Sequence, residues 1–244
     1  MLKDLYHTII VSVQAENHEP LGKPEHILAM AQSAVHGGAK SLRLANPENI
    51  RLVKEHLPEI PVIGITKPSH LPPDPENHVY ITPSLWAAES LVQAGADIVA
   101  LDATLRPRPL EESLEEIVKT LKERFPQTLL MADCATSAEA THAQALGFDV
   151  VGTTLSGYTA ETLNKAKTGQ PDFDLLKQLV QSLTLPIILE GRIWEPSQVT
   201  HAFELGAHAV VIGSAITRPQ LITKRFVEAI PTLRGIPSPV LNDG

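Results

Sequence analysis

A lysine and a glutamate, Lys67 and Glu190, each end a short apolar run, Val62-Ile63-Gly64-Ile65 ahead of the first and Pro186-Ile187-Ile188-Leu189 ahead of the second. An amine and a carboxyl group delivered to one place by buried segments can both move protons. If a carbon lies between them, one face can lose a proton and the other regain it, which inverts that carbon's stereochemistry. The lysine must then be neutral, a state favoured by burial and by a nearby cation such as Arg43. A neutral lysine could equally form a Schiff base with a carbonyl, the chemistry of an aldolase.

Six further runs stop on polar or small residues: Gln14, Arg43, Asp102, Asp133, Thr153 with Thr154, and Gly213 with Ser214. Taken singly, Arg43 with Asp102 or Asp133 reads equally well as a buried ion pair, and Gln14 as a partner for backbone groups. Taken together, charges of both signs gathered at one water-restricted place carry a desolvation cost that a structural role rarely justifies. Gly191-Arg192 and Gly213-Ser214 suggest an anion site, because glycines let backbone N–H groups approach an oxyanion and Arg192 can add a bidentate contact.

Bringing these groups together is the task of the elements that carry them. Strands are predicted over 8–14, 40–43, 62–67, 98–102, 129–133, 150–153, 186–190 and 209–212, mostly apolar on both alternations as buried parallel strands are. Helices are predicted over 24–35, 47–56, 84–94, 113–125, 137–146, 173–183, 196–205 and 219–229, with Asn46, Ser113 and Ser137 at N-cap positions. Eight repeated strand–helix units without a linker predict one (β/α)8 TIM barrel domain over 1–244. No GxGxxG follows an early strand, which argues against a dinucleotide-binding sheet. Two longer segments, 67–83 and 156–171, follow strand ends and would lie over the barrel mouth, where long loops serve binding.

A formal charge of -8 argues against nonspecific nucleic-acid binding. The first residues read as a strand and not a signal peptide, and no segment approaches the roughly 20 apolar residues needed to span a bilayer. One cysteine, Cys134, excludes an internal disulfide and suits the cytoplasm. The ten histidines are scattered without metal-ligand spacing, so no metal is expected.

Four motifs are more specific than any barrel pattern: Asp102-Ala103-Thr104 with Arg106-Pro107-Arg108-Pro109, the run from Gly152 to Thr159, Glu190-Gly191-Arg192, and the run from Gly213 to Arg218. Through them the chain resembles the bacterial N-acetylmannosamine-6-phosphate 2-epimerases, from about Ile9 to about Phe226. The resemblance implies cofactor-free interconversion of N-acetylmannosamine 6-phosphate and N-acetylglucosamine 6-phosphate in sialic acid and amino-sugar catabolism. It implies Lys67 and Glu190 as the catalytic pair, Gln14, Arg43, Asp133 and Thr153 as substrate contacts, and Gly191, Arg192, Gly213 and Ser214 as the phosphate site. It also implies a homodimer acting on a small phosphorylated amino sugar. Another sugar-phosphate barrel enzyme, or a catalytically weak binding protein, is the alternative. The family's Lys-Arg-Asp after the third strand is Lys67-Pro68-Ser69 here, its Cys before the first-strand Gln is Val13, and its Ser-Thr after the fifth-strand Asp is Ala135-Thr136. These departures predict retained activity with altered rate or specificity.

Overall fold

Branched residues in short runs build the expected strands, and the strands close on themselves. The computed structural model describes residues 1–15, 19–68 and 70–231. In it β1 (Thr8–Val13), β2 (Ser41–Ala45), β3 (Val62–Ile65), β4 (Ile98–Asp102), β5 (Leu129–Asp133), β6 (Val150–Gly152), β7 (Ile187–Glu190) and β8 (Ala209–Ile212) follow one another around a closed barrel. Every neighbouring pair is parallel, and β8 returns to β1 in register, Ile10 opposite Val211. The fold is therefore a (β/α)8 TIM barrel.

Side-chain alternation sorts the core into two bodies. Ile10, Ile63, Ile65, Ile98, Met131, Ile188 and Val211 pack together inside the barrel. Leu42, Leu44, Val62, Val99, Leu130, Val151 and Leu189 point outward, against helices α1 (Pro24–His36), α2 (Pro47–His56), α3 (Leu85–Gln93), α4 (Leu114–Arg124) and α5 (Ser137–Leu146) and those that follow. Those are α6 (Leu163–Ala166), α7 (Phe173–Ser182), α8 (Pro196–Glu204), α9 (Ser214–Thr217) and α10 (Pro219–Glu228). The short α6 and α9 were not expected from periodicity, since four residues carry too little of it.

Local chemistry explains the helix borders. Ser113 caps α4 as expected, whereas α5 is capped by Thr136, whose hydroxyl and Glu139 form a reciprocal capping box. Asn46 precedes α2 without a side-chain cap bond; its left-handed backbone (φ 73°) instead lets Oδ1 accept from the Lys67 N–H at 3.3 Å. Strand ends also shift. β2 runs on to Ala45, so Arg43 lies within the strand, and Lys67 falls two residues beyond β3.

Candidate active site

The inward alternation carries its charged groups at its upper end. Arg43 and Asp133, 1% and 0% exposed, form a bidentate ion pair with Nη1–Oδ1 at 3.1 Å and Nη2–Oδ2 at 2.6 Å. Arg43 Nη1 also lies 3.4 Å from Glu190 Oε2. Thr154 bridges the two acids, its hydroxyl contacting Asp133 Oδ1 at 2.7 Å and Glu190 Oε2 at 3.1 Å. Burial alone would lower the Arg43 pKa, but Asp133 and Glu190 outweigh it and hold the guanidinium charged. Glu190 is pushed above the usual carboxylate range by burial, with Asp133 adding and with Arg43, Thr154 and Lys67 opposing.

Above this layer opens a cavity of about 390 Å³ whose wall includes Gln14, Lys67, Glu190, Arg192, Ser214 and Arg218. Lys67 reaches it from the β3 side and Glu190 from β7, four strands away in a ring of eight. Solvent touches Lys67 through the open mouth, yet protein crowds the amine from the other sides. That crowding, followed by Arg43, lowers its pKa from the ordinary lysine value, against the pull of Glu190 and Asp133. Among the described residues its Nζ has no hydrogen-bond or ion-pair partner within reach, so the amine is free to act on a bound molecule. Among the described residues Gln14 Oε1 and Arg218 Nε are buried without a partner, and both residues line the cavity. A buried acceptor and a buried donor of this kind are satisfied by a ligand with complementary polar groups.

A basic lysine opposite a carboxyl group, with an anion-friendly rim, fits proton transfer on a small acidic-substituted molecule. Comparison with known proteins decides the family. Residues 27–232 match the family model described as "Putative N-acetylmannosamine-6-phosphate epimerase". The chain belongs to that family. A relative from Malacoplasma penetrans, named "Putative N-acetylmannosamine-6-phosphate 2-epimerase", is 43% identical over 94% of this chain and 97% of its own. One of the same name from Enterobacter sp. (strain 638) is 45% identical over 91% and 92%. The solved N-acetylmannosamine-6-phosphate 2-epimerase of Clostridium perfringens is 39% identical, with a TM-score of 0.86 over 93% of this chain and 95% of that one.

Within this epimerase fold the expected residues divide into three groups. Gln14, Lys67, Glu190, Gly191, Arg192, Gly213 and Ser214 all line the cavity. Arg43 and Asp133 do not; they lie beneath it, tied to each other and to Glu190, because β2 extends past Arg43 and draws it into the packed interior. Thr153 also stands off the cavity wall. It shares the outward parity of Val151, and its hydroxyl is committed to the backbone of Glu190, donating to the carbonyl at 3.1 Å and accepting from the N–H at 3.0 Å. The inward group is Thr154, and parity would have found it.

Arg192 also has work beyond the anion rim. Its Nε donates to Gln170 O at 2.7 Å and Nη1 to Ser156 O at 2.7 Å, which lashes both ends of the loop after β6. Gly157, at φ 91°, makes room for it, since a Cβ there would stand 2.7 Å from Nη1. On the other side Asp102, Thr104, Arg106 and Arg108 form a strap. Arg106 donates to Asp102 Oδ2 at 2.6 Å, Thr104 Oγ1 at 2.9 Å and Pro75 O at 2.9 Å, pinning the loop after β3. The two long loops meet where Ala160 N donates to Glu76 O at 3.1 Å. Ser69 lies outside the described residues.

Arg218 was not singled out from the sequence as a site residue. It follows a single turn of helix, where neither strand nor helix periodicity predicts direction, and it pairs with Glu19 from the far end of the chain. Among the described residues no group of three or more His, Cys, Asp or Glu side chains is arranged to hold a metal ion, and no helix is long and apolar enough to cross a membrane.

Proposed function

We propose that this chain interconverts N-acetylmannosamine 6-phosphate and N-acetylglucosamine 6-phosphate, with Lys67 as the base that takes the C2 proton. In the open-chain sugar C2 stands next to the C1 aldehyde, which acidifies its proton and stabilises the deprotonated centre. The observation that carries the reading is the asymmetry of the pair: a lysine with a depressed pKa and no bonded partner faces a glutamate with a raised pKa that is already held by Thr154 and Arg43. Lys67 can therefore gain and lose a proton without breaking an ion pair. Glu190, protonated for part of the cycle, supplies a proton either to the opposite face of C2 or to the developing C1 oxyanion.

The phosphate fits the β7–β8 rim, where Arg192, the Gly213-Ser214 backbone and Arg218 gather positive potential. Gln14 supplies an acceptor for a sugar hydroxyl or the amide N–H. Arg43 and Asp133 act from below by fixing Glu190. A cytoplasmic setting suits a phosphorylated substrate. A homodimer is supported by α10, none of whose residues is buried and on which Phe226 and Val227, with Ile230 just beyond, are exposed.

The test is proton NMR of N-acetylmannosamine 6-phosphate in deuterated buffer with the purified protein. Deuterium should appear at C2, and Lys67→Ala and Glu190→Ala should each slow this by roughly 100-fold or more, the usual worth of a positioned acid or base. Exchange that survives both changes would sink the assignment. A Glu190→Gln protein that still exchanges one epimer without interconverting the two would mark a two-base mechanism.

A further inference from the structure

On the far side of Lys67 from the phosphate rim lies a second basin, of about 610 Å³, walled by residues that include Pro68, Pro72, Val79, Trp86 and Pro107. Lys67 and Tyr80 line both this basin and the reaction cavity, so two side chains form the partition between them. We propose that the basin is a subsite for the acyl group carried by the nitrogen on C2, and that this chain accepts acyl chains longer than acetyl. The inference rests on the epimerase reading above and adds its substrate range.

The character of the basin argues for an apolar occupant. Lys67 stands at the partition and His70 in the wall; the other ionic groups are engaged, Arg108 donating to Pro83 O at 3.3 Å and to the Asp102 carbonyl, and His78 meeting Asp74 at 3.0 Å. Buried atoms without partners, which mark the reaction cavity, do not occur along the basin wall among the described residues. Trp86 stands 78% exposed at its edge, a large apolar surface left uncovered.

Substrate geometry then selects the occupant. With the phosphate at the β7–β8 rim and C2 at Lys67, carbons C3 to C6 must run back toward the rim, and their hydroxyls would lose hydrogen bonds in an apolar space. The acyl group on C2 is the one part of the sugar that is apolar at its end and leaves from the reacting carbon beside the partition. Acetyl ends in a single methyl group and leaves most of the basin unfilled. Pro68, Pro72, Pro83, Pro107 and Pro109 form much of this wall and bring no side-chain hydrogen-bonding group to it.

Deuterium incorporation at C2 can be followed side by side for N-acetyl- and N-butanoylmannosamine 6-phosphate. The expected kcat/KM for the butanoyl sugar equals that for the acetyl sugar or exceeds it by up to roughly tenfold, the effect of burying two further methylenes. His78→Trp, which crowds the basin from its solvent edge, should lower the butanoyl-to-acetyl ratio by roughly tenfold, and Tyr80→Ala, which removes the partition, should raise it. Acetyl turnover with butanoyl turnover slower by about 100-fold would overturn the subsite, as would a ratio that neither variant moves. Absence of exchange with both sugars would instead overturn the epimerase reading, and the subsite with it.

Discussion

The Arg43–Asp133 pair is the hinge of the site's electrostatics, though neither residue touches the cavity. Removing one partner leaves the other charge buried and uncompensated, so Asp133→Ala should cost about 3–5 kcal/mol of stability, read as a shifted denaturation midpoint. Thr154 allows a finer test. Its hydroxyl stabilises the charged form of Glu190, so Thr154→Val should raise the Glu190 pKa still further. The limb of the pH–rate profile that reports Glu190 should move upward, as expected on losing a hydrogen bond to the charged form. At this scale the sequence was legible where a polar residue interrupts an apolar run and its parity is respected. Lys67 and Glu190 meet that condition. Thr153 did not, because choosing it ignored that Val150 and Gly152 set the inward register and that Thr154 continues it. Arg43 was recognised and its pairing with Asp133 was one of the readings offered, but its strand was ended two residues early, which placed it at the mouth.

Loops and elements carry the next level of control. Arg192 satisfies Ser156 and Gln170 through one planar guanidinium, a geometry that a lysine's single ammonium cannot reproduce. Arg192→Lys should therefore speed proteolysis within 157–169 as well as raise KM for the phosphorylated sugar. Limited digestion separates the lashing role from the anion role, since digestion of the free protein reports only the former. All eight barrel strands were visible in advance because branched apolar runs of that length between amphipathic stretches have one common reading. The cross-loop ties were not visible. Ala160 to Glu76 and Arg106 to Pro75 join positions far apart in sequence through backbone carbonyls, which carry no residue-type signature.

For the molecule as a whole, α10 is tied to the barrel through Arg225 to Glu195 and Gln220 to Glu19, yet Phe226 and Val227 on it stay exposed. If its exposed apolar face joins two copies, Phe226→Glu should shift sedimentation from dimer toward monomer in a concentration-dependent way. A dimer that withstands the charge would remove α10 from the interface. Composition and charge told little about assembly, because exposed apolar residues on one helix are indistinguishable by sequence from residues that close a barrel. A last feature concerns the loop after β3. Thr66 and Thr82 are clamped together, the Thr82 N–H donating to Thr66 O at 3.1 Å while the Thr82 hydroxyl accepts from the Thr66 N–H at 3.1 Å. The segment between them begins and ends at one fixed point, and the lysine at its start is held separately by Asn46. Residues farther along that segment can be exchanged while the Lys67 backbone stays where it is. The loop can thus vary in sequence without moving the point at which Lys67 leaves β3.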